Sequence, residues 1–291
     1  MIRRRLAHAL DRRFRAIHHR IDELGAQVEA LRGAVDSVAA RLDDEIRPAL
    51  RIMAGGDAEN RRRVDVARRD PAYELAFEEA EPLVTVIVPT REREEVLGSR
   101  ALPSVLSQTH GRLEVLVVGD ADGPASEGSV RDLGDERLRF VNLTQQYVYP
   151  DPHRHWLAAT TLARNEGYRL AQGRWLFDFD DDDALPPDAI ERLLERARGE
   201  RLEAVQGLIR QHEPGGGTCE ISSTPHELPL KGAVVHSHLR FFEREHVASA
   251  LGVPGDWFRG ERMVRAGVRI GLLDRVTYEY YPSSLWRDGA G

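Results

Sequence analysis

Four consecutive aspartates, Asp180–Asp183, follow the apolar run RWLFDF (174–179). Carboxylates this close together repel one another, so some of them must take up a proton or share a cation. Because side chains alternate in extended backbone, Asp180 and Asp182 are predicted to face the same side and to hold one divalent ion. Mg²⁺ and Mn²⁺ suit such a pair, since they accept one or two carboxylates and leave coordination sites for phosphate oxygens.

Helix capping is the alternative explanation of these aspartates. Aspartate oxygens cap exposed N–H groups, and Pro186-Pro187 indicates a helix start just after the cluster. Capping accounts for one aspartate, such as Asp183, but not for four. Neither a GxGxxG motif nor a Walker loop follows the first apolar run, where the sequence is PTRE (89–92). A bound diphosphate would therefore depend on a metal for most of its charge neutralisation.

The sequence around the aspartates predicts an α/β domain. From residue 83 onward, short β-branched runs alternate with amphipathic helices. The predicted strands are residues 83–88, 113–118, 137–143, 174–179 and 202–209, and the predicted helices are residues 95–108, 157–171 and 187–198. Nearly continuous apolar strands favour a mostly parallel sheet flanked by helices. Ligands bind beyond the carboxyl ends of such strands, and the aspartate cluster lies at one of those ends.

The N-terminal region has a different period. Apolar residues are spaced alternately by four and three over residues 10–42, which predicts a coiled coil. The a positions are Phe14, Ile21, Val28, Val35 and Leu42, and the d positions are Leu10, Ile17, Leu24, Leu31 and Val38. This composition favours a parallel homodimer, while the alternative is a helix hairpin that folds back on the α/β domain. Pro48 and Gly55-Gly56 are predicted to end the region, so we expect a coiled-coil helix over 1–56, a linker with one short helix over 57–81, and the α/β domain over 82–291.

Composition and charge limit the remaining possibilities. The 291 residues are 41% hydrophobic and 31% charged, which is typical of a globular protein, and the one cysteine cannot form an internal disulfide. No apolar run reaches the length of about 18 residues that spans a bilayer, and the basic start lacks the apolar segment of a secretory signal. We therefore expect a cytoplasmic protein or one peripheral to the inner face of the membrane.

Charge is distributed unevenly along the chain. Residues 1–69 contain 16 arginines and 11 acids, whereas the whole chain has a net charge of −7. The basic start could contact anionic lipid, or it could be a solvated helix end. The acidic remainder argues against nucleic-acid binding.

The order of these motifs resembles glycosyltransferase family 2, whose catalytic domain has the GT-A fold. The matching stretches are VTVIVPTRER (84–93), LPSVLSQTHGRLEVLVVGDAD (102–122), ARNEGYRLAQGRWLFDFDDDDALPPDAIERL (163–193) and GDWFRGERMVRAGVRIGLLD (255–274). The resemblance implies an inverting, metal-dependent hexosyltransferase. It would move a sugar from a UDP- or dTDP-sugar to the hydroxyl of a glycan or lipid-linked glycan in surface polysaccharide synthesis.

The resemblance also implies roles for individual residues. Asp256 would be the catalytic base, with Glu261 as an alternative. The metal would be held by Asp182 and Asp180, with Asp183 beside them. The implied donor-binding residues are Pro89, Thr90, Arg91, Asp120, Arg164, Asn165, Asp180 and Asp181. In inverting transfer a base deprotonates the acceptor hydroxyl while the metal, as a Lewis acid, stabilises the leaving diphosphate.

Several other residues are weaker candidates. His236 or His238 could be a late metal ligand, although a hydrogen-bonded pocket histidine is the ordinary reading. The segments at His153–Trp156 and Gln211–Gly217 could close over a substrate, and Trp257, Phe258 or Trp286 could stack on a sugar. The alternative functions are sugar nucleotidyl transfer, which normally needs a glycine-rich loop after the first strand, and a coiled-coil scaffold with a non-catalytic transferase-like domain.

Overall fold

The computed structural model describes residues 2–146, 155–213, 216–221 and 230–282. The chain divides into two compact units, residues 1–52 and 53–291. Among the described residues, no helix is both long and apolar enough to cross a membrane.

A long helix forms the N-terminal region. It comprises α1 (Ile2–Arg41), a π-helical turn (Leu42–Ile46) and α2 (Arg47–Ala67). The helix end predicted at Pro48 and Gly55-Gly56 was therefore wrong. Proline lacks only one hydrogen-bond donor, and the preceding π-helical turn is the irregularity that accommodates such an interruption.

Residues 57–81 were expected to be a linker, but they belong to the second unit. Val64 and Tyr73 are buried, as is Phe77 in the short helix α3 (Leu75–Glu78). The Arg68 guanidinium donates two hydrogen bonds of 2.7 Å to the fully buried carboxylate of Glu203. The apolar positions in this charged segment are few, so the sequence pattern did not reveal that they are core residues.

The second unit is an α/β domain, as predicted. Its strands are β1 (Val84–Thr90), β2 (Leu113–Gly119), β3 (Leu138–Asn142), β4 (Trp175–Asp178), β5 (Ala204–His212), β6 (Thr218–Ile221), β7 (Ala233–His236) and β8 (Ile270–Tyr280). Its helices after α3 are α4 (Glu94–Val96), α5 (Leu102–Leu106), α6 (Pro124–Asp132), α7 (His155–Ala158), α8 (Thr161–Leu170), α9 (Ala189–Gly199), α10 (Val247–Leu251) and α11 (Gly255–Arg265), with a π-helical turn (Leu97–Ala101) and a 3-10 turn (Ser237–Leu239). The helix predicted over 157–171 is divided at Thr160, whose φ is +60°.

One mixed sheet contains all eight described strands, in the order β3-β2-β1-β4-β7-β5-β6, with β8 paired to β5. The pairs among β1, β2, β3 and β4 are parallel, as expected. The sheet beyond β4 departs from the expectation of a mostly parallel sheet, because β7 runs antiparallel to both β4 and β5. β7 has only four residues and was not among the predicted strands, so the sequence pattern gave no indication of its direction.

Helices cover both faces of the parallel half. Alternate β1 side chains pack on opposite sides: Val86 and Val88 contact the larger core cluster, and Ile87 contacts a second cluster with Ala163 and Tyr168 from α8. A Cβ at Gly167 would overlap the Ile87 side chain, so α8 lies unusually close to β1. This close packing fixes the position of the Arg-Asn pair on α8.

Candidate active site

The carboxyl ends of the parallel strands bring the predicted donor residues together. Thr90, at the end of β1, is in register with Gly119 at the end of β2. Asp120 follows directly, is buried, and donates its backbone N–H to the Thr90 carbonyl at 3.0 Å. Burial raises the pKa of Asp181, and the buried Thr90 hydroxyl beside that carboxyl opposes the shift. This contact links the end of β1 to the aspartate cluster.

A polar network shapes the turn after β2. Asn142, at the end of β3, accepts from the Asp122 N–H at 3.0 Å and donates to the Asp122 carbonyl at 2.8 Å. Asp122 in turn accepts from the backbone N–H of Glu92 at 2.9 Å, so the two loops above β1 and β2 are linked. Arg91 is partly exposed, and its guanidinium lies 3.6 Å from the Glu92 carboxylate. Pro89 is buried within β1.

The four aspartates form a turn and do not continue the strand. The backbone N–H of Asp183 approaches the Asp180 carbonyl at 3.5 Å, which is the approach between the first and last residues of a turn. The turn sorts the carboxylates into two pairs, Asp180 with Asp183 and Asp181 with Asp182. Side-chain alternation holds only in extended backbone and so does not apply within this turn, while the sharing of one metal ion by Asp180 and Asp182 stays a prediction.

Each pair of carboxylates has its own basic side chain. Lys231 lies between Asp180 and Asp183, with its Nζ 2.7 Å and 3.0 Å from their carboxylate oxygens. Arg93 forms ion pairs with Asp182 and, at 3.2 Å, with Asp181. Neither basic residue was predicted for the site. Lys231 could have been found, since it is the one lysine among 41 basic residues.

The pKa of Asp180 is lowered, whereas the pKa values of the other three aspartates are raised. Burial opposes ionisation of Asp180, but Lys231 and Arg164 outweigh it and lower its pKa. Burial raises the pKa of Asp181 to about 6, with Arg93 opposing the shift. Burial and the nearby Asp180 charge raise the pKa of Asp182 to about 6. Burial also raises the pKa of Asp183 to about 6, although Lys231 opposes it. The repulsion expected from sequence is thus relieved partly by side-chain cations and partly by proton uptake.

The Arg-Asn pair on α8 divides its contacts between two parts of the site. Arg164 is buried and forms an ion pair with Asp180, another of the implied donor-binding residues. Asn165 instead hydrogen-bonds the backbone of Arg244 through both its amide nitrogen and its amide oxygen, each at 2.9 Å. In this structure Asn165 positions a loop, and donor binding by Arg164 and Asn165 stays a prediction.

Arg244 connects this loop to a buried charge cluster. Its guanidinium lies 3.2 Å from Asp178, the last residue of β4, and Arg259 from α11 lies 3.1 Å from the same carboxylate. Burial opposes the charged form of Arg244, but nearby Tyr168, Asp178 and Asp256 raise its pKa. The sequence signal for this cluster was the aspartate inside an apolar strand.

The predicted base lies at the start of α11. Asp256 is in the first turn, and its side chain accepts a hydrogen bond of 2.9 Å from the Trp257 N–H. The alternative base, Glu261, lies 3.3 Å from Arg265 on the same helix, and Arg265 also contacts Asp57. Glu261 is therefore engaged with the segment that docks the end of α2. This arrangement favours Asp256 over Glu261.

The late histidines have structural surroundings. His236 is fully buried and stacks on Tyr73, with ring centroids 4.0 Å apart. Its Nε2 lies 2.9 Å from the Tyr73 carbonyl, and its Nδ1 accepts from the His238 N–H at 3.2 Å. His238 lies 3.3 Å from Asp70. The ordinary reading of a hydrogen-bonded histidine therefore describes both residues.

Other predicted candidates are only partly described. Phe258 is buried in α11, and Trp257 is half-buried. Gln211 lies within β5, so the predicted loop begins later than expected. His153 and Trp286 lie outside the described residues, as do the side chains of His155 and Trp156.

The carboxylate oxygens of the aspartates are the type of ligand that a hard divalent cation prefers. Among the described residues, no group of three His, Cys, Asp or Glu side chains is placed to hold a metal. A Mg²⁺ or Mn²⁺ ion that also binds phosphates needs only one or two carboxylates, and Asp181 and Asp182 provide such a pair. Arg93 holds this pair in the structure, and the two carboxylates retain raised pKa values beside it.

Known proteins similar to this chain include two bacterial relatives. The chain is 34% identical over 116 residues to the succinoglycan biosynthesis protein ExoO of Rhizobium meliloti, covering 40% of this chain and 30% of ExoO. It is 26% identical over 172 residues to the putative colanic acid biosynthesis glycosyl transferase WcaA of Escherichia coli, covering 58% of this chain and 56% of WcaA. The chain thus spans less than two thirds of the length of either relative.

The crystal structure of Staphylococcus aureus TarS 1-349 has the same fold, with a TM-score of 0.53 and 16% identity, covering 68% of this chain and 60% of that one. The sequence profile described as Glycosyl transferase family 2 matches residues 85–252. Because this match covers more than half of the sequence, the chain belongs to glycosyltransferase family 2.

Proposed function

We propose that this chain transfers a hexosyl group from a UDP- or dTDP-sugar to an acceptor hydroxyl, with inversion at the anomeric carbon. The proposal is carried by three groups of residues that come together at the carboxyl ends of the parallel strands. Thr90 and Asp120 end two parallel strands, the aspartate turn follows a third, and Asp256 approaches on a separate helix near Arg244. Donor binding, charge neutralisation and proton removal are thus assigned to different segments.

The residues have distinct proposed roles. Asp120 and the loop from Pro89 to Arg91 would bind the nucleotide. Asp256 would accept the proton of the acceptor hydroxyl as that oxygen attacks. Asp182 and Asp181 would hold Mn²⁺ or Mg²⁺, which when bound would act as a Lewis acid on the leaving diphosphate. Arg164 would keep Asp180 ionised beside that charge.

The acceptor class is proposed from the relatives. The two relatives are named for succinoglycan and colanic acid biosynthesis, so we propose a glycan or lipid-linked glycan of surface polysaccharide synthesis as acceptor. TarS, which shares the fold, was crystallised with UDP-GlcNAc, and a nucleotide-sugar donor is compatible with that fold. We propose that the transfer reaction takes place at the cytoplasmic side of the membrane, where the basic start of the chain could contact anionic lipid.

The N-terminal helix is proposed to pair with a second copy of the chain. Its heptad residues from Ile21 to Leu42 are exposed in the single chain, with exposed fractions from 40% to 66%. Ion pairs such as Arg20–Glu23 and Arg32–Glu29 form within the helix and leave the apolar seam uncovered. Pairing of two such seams would remove this apolar surface from water.

The test separates donor binding from transfer. Calorimetry with a panel of nucleotide sugars and Mn²⁺ should show that Asp182→Asn loses metal-dependent donor binding. Asp256→Asn should bind donor normally but turn over at least about 100-fold more slowly. Asp188→Asn, at an exposed aspartate that pairs with Arg192, is the matched control and should behave like the unmodified chain. Normal turnover by both site variants would refute the proposal.

A further inference from the structure

The backbone around Lys231 is specially shaped. Leu230 has a φ of +45° and Gly232 a φ of +63°, so Lys231 lies between two residues in the left-handed region. Leu230 is not glycine and is buried in a core cluster with Val235 and Phe242, which holds this uncommon conformation in place. A Cβ at Gly232 would overlap the Tyr278 ring, so the chain passes directly against that ring. Uncommon backbone conformations that the surroundings enforce are a reason to look for a function.

This backbone presents Lys231 to two aspartates. Its ammonium lies 2.7 Å from Asp180 and 3.0 Å from Asp183, and 4.0 Å from the centroid of the Tyr280 ring. The Tyr278 hydroxyl donates to Asp183 at 2.8 Å and accepts from the Asp180 N–H at 3.2 Å. The first and last residues of the aspartate turn are therefore fastened by the same two side chains.

The other two aspartates are held differently. Asp181 and Asp182 occupy the corner of the turn and pair with Arg93, which comes from the loop before α4. Arg93 also follows a left-handed residue, Glu92 at φ +52°, but among the described residues it lies over no aromatic ring, whereas Lys231 lies over Tyr280. Arg93 therefore has fewer contacts to lose than Lys231 when a cation arrives with a donor.

We propose that Lys231 is a positioning residue of the donor site: its ammonium occupies the cation place between Asp180 and Asp183. It closes the turn and directs a divalent ion to Asp181 and Asp182. The role given to Lys231 in donor binding rests on the proposed transferase function, whereas the Mn²⁺-binding experiment that tests it does not. An ammonium suits this place better than a guanidinium would, since it is a compact point charge that two carboxylates can share.

The experiment measures Mn²⁺ binding to the metal-stripped full chain by calorimetry and electron paramagnetic resonance. Lys231→Met frees a carboxylate pair and removes a competing charge, so it should bind Mn²⁺ at least about tenfold more tightly, or bind a second ion. Lys231→Gln, which retains a hydrogen-bond donor and tests the same point if the methionine variant does not fold, should change binding in the same direction. Lys231→Arg keeps the charge but fits the place less well, so its Mn²⁺ binding should lie closer to that of the unmodified chain than that of Lys231→Met does. The surface control Arg192→Gln should bind Mn²⁺ like the unmodified chain.

Thermal melting gives a second readout. Lys231→Met should melt at a lower temperature without metal, and Mn²⁺ should raise its melting temperature more than that of the unmodified chain. Mn²⁺ binding by Lys231→Met and Lys231→Gln that is no tighter than that of the unmodified chain would overturn the inference. Failure of the unmodified chain to bind any nucleotide sugar would instead count against the proposed function, and the Mn²⁺ comparison would still decide the role of Lys231.

Discussion

Asn165 fixes the backbone of Arg244 in both directions: its Nδ2 donates to the Arg244 carbonyl and its Oδ1 accepts from the Arg244 N–H, each at 2.9 Å. The guanidinium of the same Arg244 reaches Asp178, and the charge of Asp256 acts on it. Asn165, from the Arg-Asn motif, thereby positions the Arg244 guanidinium near the proposed base, Asp256. The motif serves two segments of the site, since its other member, Arg164, contacts Asp180.

Replacement of Asn165 by alanine should therefore impair transfer more than donor binding. Two partly buried hydrogen bonds to backbone are lost, which should lower the free energy of unfolding by about 1–3 kcal/mol. Because Arg244 is no longer held near Asp256, kcat should fall while the donor dissociation constant changes little. Urea unfolding, donor calorimetry and steady-state kinetics measure the three quantities.

Asn142 offers a matched comparison, because its amide also makes two hydrogen bonds to one backbone residue, Asp122. That residue shapes the turn after β2, where the nucleotide is proposed to bind. Asn142→Ala should therefore weaken donor binding, with a smaller effect on the turnover of bound donor. Identical kinetic effects of the two alanine variants would argue that neither amide acts on a particular step.

The fold was largely predictable from the sequence, and the site only in part. The apolar runs that became β1 and β2 are seven residues long and rich in valine, and the run that became β4 is aromatic and followed by aspartates, so these strands were clear in the sequence. The positions of the aspartates were also clear, but their pairing was not, because it depends on a turn that ends the alternation. Lys231 and Arg93 approach from segments 48 or more positions away in the chain, and no local pattern reports such a contact.

Gly232 and Gly134 allow a prediction about how much unfolding free energy is lost when a Cβ is added next to an aromatic ring. Both have positive φ, +63° and +61°, so either replacement by alanine strains the backbone. Around Gly134 a Cβ would meet nothing within 4 Å, whereas at Gly232 it would overlap the Tyr278 ring. Gly134→Ala should cost about 1 kcal/mol of unfolding free energy, and Gly232→Ala clearly more, because Tyr278 must move.

Tyr278 also hydrogen-bonds Asp183, so Gly232→Ala should disturb the aspartate turn as well as stability. Chemical denaturation of both variants measures the difference, and donor binding measures the effect on the turn. Equal destabilisation by the two substitutions would mean that the ring yields freely and that the close approach has no energetic importance.

His236 predicts a pH dependence of stability. Burial lowers its pKa to about 4, and both of its ring nitrogens are engaged by backbone groups, one as donor and one as acceptor. In the unfolded chain a histidine takes up a proton near its ordinary pKa of about 6.5. Between these two values the unfolded state binds more protons than the folded state, so stability is lost as the pH falls.

His236→Gln isolates this contribution, because glutamine can still donate to the Tyr73 carbonyl but does not titrate. Between pH 7 and pH 5 the unmodified chain should lose roughly 2 kcal/mol more unfolding free energy than the variant. Carboxylates that titrate in this range are common to both chains and cancel in the difference. Parallel pH profiles from urea unfolding would show that His236 is protonated in the folded chain.

Leu31, a d position of the predicted coiled coil, tests how the N-terminal helix is used. It is 66% exposed in the single chain, so its replacement by glutamate should leave the stability of a lone chain nearly unchanged. If two copies pair along the heptad seam, two facing carboxylates would lose water, and the dimer dissociation constant should rise at least about tenfold. Light scattering coupled to size exclusion would then show a shift from dimer to monomer.

Ala26→Glu is the matched control, since position 26 lies on the opposite side of the heptad, at f, and should leave the dimer intact. The alternative, a helix folded back on its own α/β domain, makes a different prediction. Leu31→Glu would then lower the melting temperature of a chain that is monomeric before and after the substitution. A monomer at every concentration for the unmodified chain, with normal donor binding, would exclude pairing along the heptad seam while leaving the proposed transferase function in place.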